Sequence, residues 1–504
     1  MKRYQFYGFI GLSLLVMQCT TESKNQEKVH ADLKENAGVL HNTPVDGYRG
    51  IWYMNQPLDN EYKYKYSGGL GTYPQQHIPL AIYSKKVNKT FFCYGGTDAE
   101  NSTLWYMASY YDHSTGEVPQ PTLVMNKNTT DAHDNPVMSI DDEGYIWLFG
   151  NAHGLSRPAY VLKSKKPYDV KAFDIIEATK EEESPPSPQL RPASQIVPMD
   201  NFSYMQAWHL PGQGFVNFFT KYKYPADRTI CFMTSEDGKA WSSWQRLAAI
   251  KKGHYQISAA NSEKAASAFD FHPDDPGRVG LNFRTNIYYV ETHDFGKTWQ
   301  TVDGKTLELP LTEIDNPALV HDYYRKNRLV YLKDIQFDEG EHPVILYMTS
   351  NGHESGPHND PRTWHTARWT GEEWEIHDIT NSDNNYDHGS LYLEADGTWK
   401  VIGPTESGPQ PYNPGGEMAL WESRDQGRTW TKVKQLTDNS EYNHTYARRP
   451  LNAHADFYAF WADGHGRQPS KSRLYYCDKD GNVFQLPEKM DAKMVIGQSL
   501  VISH

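Results

Sequence analysis

Cysteine is scarce in this sequence and is not arranged in pairs. The 504 residues include four cysteines, and no two of them have the CxxC spacing. Cys19 follows an apolar N-terminal run, which leaves Cys93, Cys231 and Cys477 for the body of the chain. An odd and widely spaced set of this kind excludes a disulfide framework and a cysteine-based metal site. Long runs with a 3.6-residue hydrophobic period are also missing, so helices are not expected to dominate the fold.

An excess of positive charge is also absent. The formal net charge is −13, with 50 Lys and Arg against 63 Asp and Glu. A nucleic-acid-binding protein needs a basic surface, so nucleic acid is excluded as a partner. Any acidic ligand must therefore be held by a local cluster of cations.

Aromatic and turn-forming residues are abundant instead. The sequence contains 34 Tyr, 19 Phe and 14 Trp, together with 37 Gly and 30 Pro spread at turn-like intervals. Short strand-like runs separated by D-G, G-K and P-G turns continue to the C-terminus. The composition therefore predicts a folded, all-β protein.

The N-terminus predicts export. A basic start, an apolar run over 6–17 and Cys19 are followed by a polar stretch. Residues 1–19 are interpreted as an export signal, and the position of Cys19 is similar to that of the lipidated cysteine in bacterial lipoproteins. The protein is then expected in the periplasm or on the outer membrane or cell surface, with any membrane contact through the lipid; cleavage to a free periplasmic or secreted protein is the alternative. Residues 20–45 are interpreted as a polar tether and 46–504 as one catalytic domain.

A repeat suggests how that domain is built. Three segments, starting at Ser235, Thr292 and Ser423, match the Asp-box pattern S/T-x-D-x-G-x-T-W, the first with one residue deleted. In such a box the Asp caps a tight turn, the Gly supplies unusual backbone angles and the Trp packs between sheets. The box aspartates are 57 and then 131 residues apart, and degenerate copies ending at Trp374 and Trp399 fall within the second gap. A unit of about 55 to 65 residues predicts a β-propeller with seven blades.

Two hairpins bring candidate site residues together. Strand-like runs flank the turn 141–144, and His133 and His153 each lie ten residues from Glu143. Folding about that point places the two imidazoles side by side at the open end, roughly 5 Å apart. A second hairpin turns at 211–214, and Tyr204 and Lys221 are equidistant from its centre. We therefore expect two histidines, a tyrosine and a cation at strand ends, where propellers usually bind ligands.

These residue types suit proton abstraction beside a carboxylate. Removing the C5 proton of a uronic acid is difficult because the adjacent carboxylate resists a second negative charge. His, Lys or Arg donors neutralise that carboxylate and stabilise the enolate-like intermediate. A tyrosine beside a cation can act as the base and then protonate the group that leaves from C4. This chemistry requires no metal or organic cofactor.

Several motifs resemble one known family. GYRGIWYMNQ, SGGLGTYPQQH, HDNP…GNAH and YARRPLNAHADFYAFWADG look like the BNR-repeat family of seven-bladed propellers that includes ulvan lyases and a related ulvan-oligosaccharide dehydratase. The resemblance covers roughly residues 47–500. It implies β-elimination at a uronate of ulvan, an acidic sulfated polysaccharide, with catalytic roles for His133, His153 and Tyr204. The family's catalytic arginine is replaced by Lys221, which keeps the charge but loses the bidentate clamp on a carboxylate.

The resemblance leaves the leaving group open. A departing sugar makes the protein a lyase, whereas loss of water from a non-reducing-end glucuronate makes it a dehydratase, and the loop within 177–198 could decide between them. Asn135, Arg228, Arg284 and Arg448 are candidate substrate contacts, and Arg228 could compensate for the missing arginine. A sialidase-like glycoside hydrolase and a non-catalytic glycan-binding propeller are the alternatives, although no convincing carboxylate set for hydrolysis is present.

One further segment is a candidate for a structural metal site. Asp270, His272 and Asp274 could hold calcium or zinc. The same sequence also reads as an ordinary turn.

Overall fold

The structure is a computed structural model that describes residues 37–70, 76–154, 157–182, 195–198, 202–223 and 226–500. Strands dominate it, and the helical elements of that part of the chain are three single 3-10 turns at Ala132–Asp134, Leu281–Phe283 and Pro357–Asn359. The all-β prediction is confirmed. No helix among these residues is long and apolar enough to span a bilayer. The interpreted export signal, with Cys19, lies outside the described residues.

Six antiparallel sheets of four or five strands form the blades of a propeller, and in each the strands follow chain order from the axis outwards. Blades 1 and 2 comprise Pro136–Ile140, Ile146–Gly150, Tyr160–Ser164 and Phe173–Ile176, then Ser203–Leu210, Gly214–Tyr222, Arg228–Ser235 and Gln245–Ala248. Blades 3 and 4 comprise Gln256–Ala260, Ala265–Phe271, Thr285–Thr292 and Leu319–His321, then Leu329–Phe337, Pro343–Ser350, Arg362–Trp369 and Trp374–Ser382. Blades 5 and 6 comprise Ser390–Leu393, Trp399–Glu406, Glu417–Ser423 and Thr431–Gln435, then Asn443–Arg448, Ala459–Gly464, Leu474–Cys477, Val483–Gln485 and Gln498–Leu500.

A wider sheet, here called the closing sheet, lies between blades 6 and 1. Its strands are Val39–Pro44, Ala81–Ser84, Lys89–Gly96, Trp105–Asp112, Glu117–Pro119, Thr122–Asn126 and Met494–Ile496. It takes strands from both ends of the chain and so departs from the regular form. The prediction of a propeller is therefore confirmed, but the prediction of seven blades was wrong, because six blades have the repeating form and the seven-stranded sheet completes the ring.

The predicted tether is also shorter than expected. Val39–Pro44, which falls within 20–45, is an edge strand that pairs with Thr122–Asn126. The side chains of VLHNTP alternate as expected for such an edge strand. The sequence analysis did not predict this strand because it is short and has polar flanks.

The predicted long loop at 177–198 is bracketed by two short strands, Thr179–Glu182 and Gln195–Pro198, which pair with each other. The first also pairs with Ala240–Trp241 in the Asp-box turn of blade 2. The described part of this segment is therefore attached at the rim of blade 2, and residues 183–194 lie outside the described part. Two further small sheets are Trp52–Pro57 with Tyr64–Gly69, and Asp274–Asp275 with Arg278–Val279.

Strand direction separates the two faces of the propeller. Because neighbouring strands of each blade are antiparallel, the connections between the second and third strands all open on the face where the innermost strands begin. We call it the site face. The connections between first and second strands, and between third and fourth strands, open on the opposite face, here called the far face.

The Asp boxes all lie at the same place, the third-to-fourth turn on the far face. In the box of blade 3, Asp294 accepts a bond from the Thr298 N–H at 2.8 Å, and Gly296 has φ +82°. The Trp299 ring packs 4.8 Å from that of Phe232 in blade 2. The predicted roles of Asp, Gly and Trp are thus confirmed. Trp374 occupies the equivalent turn of blade 4, whereas Trp399 follows a different turn, between the first two strands of blade 5.

The core is a ring of interfaces between neighbouring sheets. Its buried aromatic and aliphatic side chains form five clusters, each of which joins adjacent blades or the closing sheet. Blade 6 and the closing sheet are also bonded directly, since Leu451 donates to the Ala81 carbonyl and accepts from the Tyr83 N–H, both at 2.9 Å. The ring is therefore closed by contacts between the two ends of the chain.

Two glycines of blade 3, Gly296 in the Asp box and Gly304 in the turn that follows it, separate backbone strain from packing. Gly296 and Gly304 both have φ +82°, but a Cβ at Gly296 would lie 2.8 Å from Phe232, whereas a Cβ at Gly304 meets nothing within 4 Å. Gly304→Ala should lower the free energy of unfolding by about 1–2 kcal/mol through left-handed strain. Gly296→Ala should cost about 1–3 kcal/mol more, because it also overpacks the interface. Urea unfolding of both variants measures the difference, and equal losses would contradict the packing role.

Candidate active site

The first hairpin folds as its sequence predicts. Ile146 pairs with Ile140 and Gly150 with Pro136, so the hairpin is centred on Glu143. His133 and His153 lie at its open end on the site face, where their rings stack with centroids 4.0 Å apart and planes 14° apart. The structure therefore brings these two predicted residues together.

A single carboxylate orients both imidazoles. The Oδ1 of Asp131 accepts a hydrogen bond from the Nδ1 of His133 at 2.5 Å, and its Oδ2 accepts one from the Nδ1 of His153 at 2.7 Å. Burial alone would raise the pKa of Asp131, but the charges and hydrogen bonds of His133 and His153 outweigh it and hold this pKa far below its usual range. Since an ionised carboxylate only accepts hydrogen bonds, both Nδ1 atoms must carry protons. The bonds to Asp131 use the Nδ1 atoms, so the Nε2 atoms are the candidates for contact with a substrate.

Arg157 links Asp131 to a second carboxylate, that of the buried Asp134. Arg157 donates to Asp131 at 2.8 Å and bonds Asp134 through two nitrogens at 2.9 Å, while Lys127 donates to Asp134 at 2.8 Å. Asp131 also caps the 3-10 turn Ala132–Asp134 by accepting the His133 N–H at 3.0 Å. Two cations thus compensate two carboxylates, and the turn that carries His133 is fixed from both sides.

The second hairpin departs from the predicted register. Its turn is centred on Gly212, because Leu210 pairs with Gly214, and a bulge between Ser203 and Gln206 shifts the pairing so that Thr220 faces Ser203. Tyr204 lies in this bulge with φ +56°, an unusual conformation for an aromatic residue. The bulge turns its ring towards the site, with its centroid 5.9 Å from that of His133.

The predicted site residue Lys221 packs against two aromatic rings. Its ammonium lies 5.1 Å from the centroid of the Phe202 ring and 5.0 Å from that of Trp244, at the interface of blades 1 and 2. Because side chains alternate along a strand, the next residue, Tyr222, faces the site instead. The Tyr222 hydroxyl donates to the Tyr204 hydroxyl at 3.2 Å. Burial raises the pKa of Tyr222 to about 12, although the charge of Arg228 acts in the opposite direction.

A histidine that the sequence analysis did not select lies beneath Tyr204. The His77 ring is fully buried, 5.8 Å from that of Tyr204, and its Nε2 bonds the His133 carbonyl at 2.8 Å. Burial lowers the pKa of His77 to about 3, so its imidazole is neutral. It therefore supports the backbone of His133 as well as the ring of Tyr204.

Cations from other blades complete the site. The guanidinium of Arg228 lies 5.2 Å from the Tyr222 ring and 5.7 Å from the Tyr255 ring. Arg284 is buried, 4.4 Å from the Tyr255 ring, and donates to the Leu281 carbonyl at 3.0 Å. Lys65 bonds Asn282, and burial, followed by the charges of Arg284 and Arg228, lowers its pKa to about 7. Two guanidinium groups thus lie beside the tyrosine rings, and Lys65 lies within their field.

Two predicted substrate contacts have different surroundings. Asn135 is buried and donates to the Leu70 carbonyl at 2.9 Å, and its Oδ1 fills the space beside Gly95, where a Cβ would come within 1.8 Å. Arg448 is buried at the inner strand of blade 6, where it donates to the Lys333 carbonyl at 2.9 Å and stacks 4.2 Å from the Tyr446 ring. Through these contacts both side chains hold neighbouring elements together.

The three candidate metal ligands Asp270, His272 and Asp274 are not brought together. Asp270 and His272 are buried, with Nε2 3.4 Å from Oδ1, but Asp274 is half exposed and pairs with Lys252 at 3.5 Å in a separate hairpin. Within the described residues, the groups that could hold an ion are Asp131 with His133 and His153, and His113 with His454 and Asp456. In the first group, Asp131 already uses both carboxylate oxygens in short hydrogen bonds to the two imidazoles, so these atoms are engaged with each other rather than spaced around an ion.

Two sizeable cavities lie away from the histidine pair. One of about 450 Å³ lies on the far face beside Asp338, Arg368 and Trp399, and one of about 470 Å³ lies between the closing sheet and blade 6. Neither contains the histidine pair. The clustering of titratable groups, rather than cavity size, identifies the candidate active site.

Several residues of the site were not found from the sequence. Asp131 could have been noticed from its position two residues before His133, and Arg157 from its position four residues after His153. Tyr222 was missed because the bulge shifts the register of the second hairpin by one residue. Lys65 and Tyr255 reach the site from other sheets, and no local pattern marks them.

Comparison with known proteins agrees with this architecture. An ulvan lyase of Nonlabens ulvanivorans is 24% identical over 413 residues, which span 76% of this chain and 81% of that protein. An ulvan lyase of Alteromonas sp. (strain LOR) is 22% identical over 461 residues, spanning 81% of this chain and 84% of that protein.

Solved structures show the same fold. A PL25 ulvan lyase has a TM-score of 0.62 at 17% identity, with 87% of this chain and 96% of that chain covered. A structure of such a lyase bound to -[GlcA(1-4)Rha3S]- has a TM-score of 0.61 at 17% identity and the same coverage. At this identity the likeness establishes the fold.

The sequence profile described as a BNR repeat-containing family member matches residues 89–382, which is more than half of the chain. The matched region contains blades 1 to 4 and the Asp boxes of blades 2 and 3. The chain belongs to the BNR repeat-containing family.

Proposed function

We propose that this protein is a polysaccharide lyase that carries out β-elimination across C4 and C5 of a uronic acid in ulvan or its oligosaccharides. The observation that carries the proposal is the stacked, Asp131-linked imidazole pair beside the Tyr204–Tyr222 hydroxyl pair. The relatives named ulvan lyases, and the glucuronate–rhamnose-3-sulfate ligand of one related structure, support the choice of substrate.

Tyr204 is assigned as the base that removes the C5 proton. Its oxygen already accepts a hydrogen bond from Tyr222, and a donor to a phenol oxygen favours the phenolate. The cations Arg228 and Arg284, close to Tyr222 and Tyr255, add a positive field that acts in the same direction. Once protonated, the same hydroxyl can deliver the proton to the oxygen that leaves C4.

The imidazole pair and Arg228 are assigned to the substrate carboxylate. His133 is buried, and burial lowers its pKa, whereas the side chain of His153 is 29% exposed. His153 is therefore the more accessible imidazole of the pair. We assign its Nε2 and the guanidinium of Arg228 to the substrate carboxylate, which they would neutralise as the C5 anion forms. No metal or organic cofactor has a role in these steps.

Product analysis tests the reaction itself. Incubation with ulvan, and separately with saturated oligosaccharides, should raise the ultraviolet absorbance of a 4,5-unsaturated uronate. Tyr204→Phe should reduce this rate by about 10²–10⁴-fold, because it removes the acid–base group. Tyr110→Phe, in the closing sheet, is the matched control. Mass spectrometry then separates chain cleavage from loss of one water, and new reducing ends without absorbance would indicate hydrolysis instead.

Asp131→Asn tests the orientation of the imidazoles. The amide keeps the shape of the carboxylate but cannot accept from both Nδ1–H groups, so turnover should fall by about 10²-fold or more. Because orientation matters most in the transition state, kcat should fall more than KM rises. Nitrogen NMR of the histidines should show a change of tautomer. An unchanged tautomer with unchanged kcat would remove this role from Asp131.

A pair of variants decides which cation neutralises the carboxylate. Arg228→Gln should lower kcat/KM by about 10²–10³-fold, the usual cost of one lost stabilising donor. Lys221→Gln, at the interface of blades 1 and 2, should change kcat/KM much less. Thermal unfolding of both proteins checks that the fold is retained. The reverse order of effects would restore Lys221 to the site.

A further inference from the structure

A second cluster of two histidines and an aspartate lies on the far face, remote from the catalytic chemistry. His113 follows the strand Trp105–Asp112 of the closing sheet, and His454 and Asp456 lie between the first two strands of blade 6. The rings of His113 and His454 are 3.9 Å apart. The cluster bridges the junction at which the ring closes.

The spacing of the donor atoms distinguishes this cluster from the catalytic one. Asp456 Oδ2 lies 3.4 Å from the Nδ1 of His113 and 3.4 Å from the Nδ1 of His454. Charge-assisted hydrogen bonds are shorter, about 2.7–2.9 Å, as Asp131 makes them in the catalytic site. In contrast, tetrahedral zinc with bonds of about 2.0–2.2 Å has donor atoms about 3.3–3.6 Å apart. Both separations therefore match the edges of a metal-coordination tetrahedron.

The surroundings leave the required lone pairs on these nitrogens. The Nε2 of His113 lies 2.8 Å from the hydroxyl of Thr90, which is fully buried. With the ring proton on Nε2 donated to Thr90, the Nδ1 lone pair faces Asp456. The Nδ1 of His454 accepts the backbone N–H of Asp456 at 3.2 Å, so this nitrogen is unprotonated, and a metal ion would take its lone pair in place of that long bond. A hydrogen bond to the far nitrogen of a ligating histidine is the usual way to fix its tautomer.

Access to the cluster is open on one side only. The His113 side chain is 1% exposed, whereas those of His454 and Asp456 are 31% and 51% exposed. The Tyr83 ring packs against both imidazoles, at 5.2 Å from His113 and 4.9 Å from His454. An ion can therefore reach the three donors from solvent and keep a water as its fourth ligand.

We propose that His113, His454 and Asp456 form a zinc site that joins the closing sheet to blade 6. Two imidazoles and a carboxylate are ligands that zinc accepts, and soft thiolate ligands are not needed. The site would add a cross-link between distant parts of the chain, alongside the backbone bonds of Leu451 to Ala81 and Tyr83. Its role is structural and does not depend on the proposed function.

Calorimetric titration of the protein, purified without a polyhistidine tag, with ZnCl₂ tests the proposal. One site per chain is expected. His454→Ala and Asp456→Asn change exposed ligands and should weaken zinc binding by at least about ten-fold. Thr90→Val should weaken it less, by removing the partner of His113. At zinc concentrations about 100 times Kd, the Tm of the wild type should rise by about 3 °C, and that of the two ligand variants should not.

The catalytic cluster supplies the control, since Asp131, His133 and His153 are the other group of similar composition. His153→Ala should keep the zinc affinity and the shift in Tm. In EDTA, Asp456→Asn should unfold at the temperature of the wild type, which separates loss of zinc from loss of fold. The proposal fails if the wild type binds no zinc, if Asp456→Asn binds it unchanged, or if His153→Ala abolishes binding.

Discussion

The site depends on the Asp131 carboxylate, which binds two imidazoles at once. A buried carboxylate is costly unless it is fully hydrogen-bonded, and each bond to a charged group contributes about 1.5–3 kcal/mol. His133, His153 and Arg157 supply these bonds. The need to satisfy Asp131 therefore fixes both rings, and the stacking of the rings follows from the 2.5 and 2.7 Å bonds rather than from attraction between them. Their Nε2 atoms are thereby presented together on the site face.

The propeller divides stability and chemistry between its two faces. Asp-box turns on the far face anchor tryptophans between blades, as Trp299 does against Phe232. On the site face, the second-to-third connections carry His153, Arg228 and Arg284 beside the starts of the inner strands. Loops can carry function there because the rigid interfaces between blades position their ends. The irregular closing sheet, with strands from both ends of the chain, is where this ring is completed.

Local pattern predicted the first hairpin well because its turn is regular and has a symmetric centre at Glu143. It failed at the second because the bulge at Tyr204 adds a residue to one strand, which moves Tyr222 to the site in place of Lys221. The blade count failed for a similar reason, since strands contributed by the chain ends carry no repeat. Asp131 was within reach of sequence reasoning, whereas Lys65 and Tyr255 were not, because contacts between blades leave no spacing in the sequence.

An acidic protein that accepts an acidic substrate must concentrate positive charge where the substrate binds. Arg284 and Arg228 achieve this by stacking on tyrosine rings, which hold a guanidinium without cancelling its charge. The buried Asp270 lies within the field of Arg284, but burial raises its pKa to about 7, so this carboxyl neutralises its neighbours only in part. Exclusion of water strengthens the field that remains, since the interaction of charges grows as the local dielectric falls. A net charge of −13 is therefore compatible with anion recognition, provided that the cations are gathered against aromatic rings rather than spread over the surface.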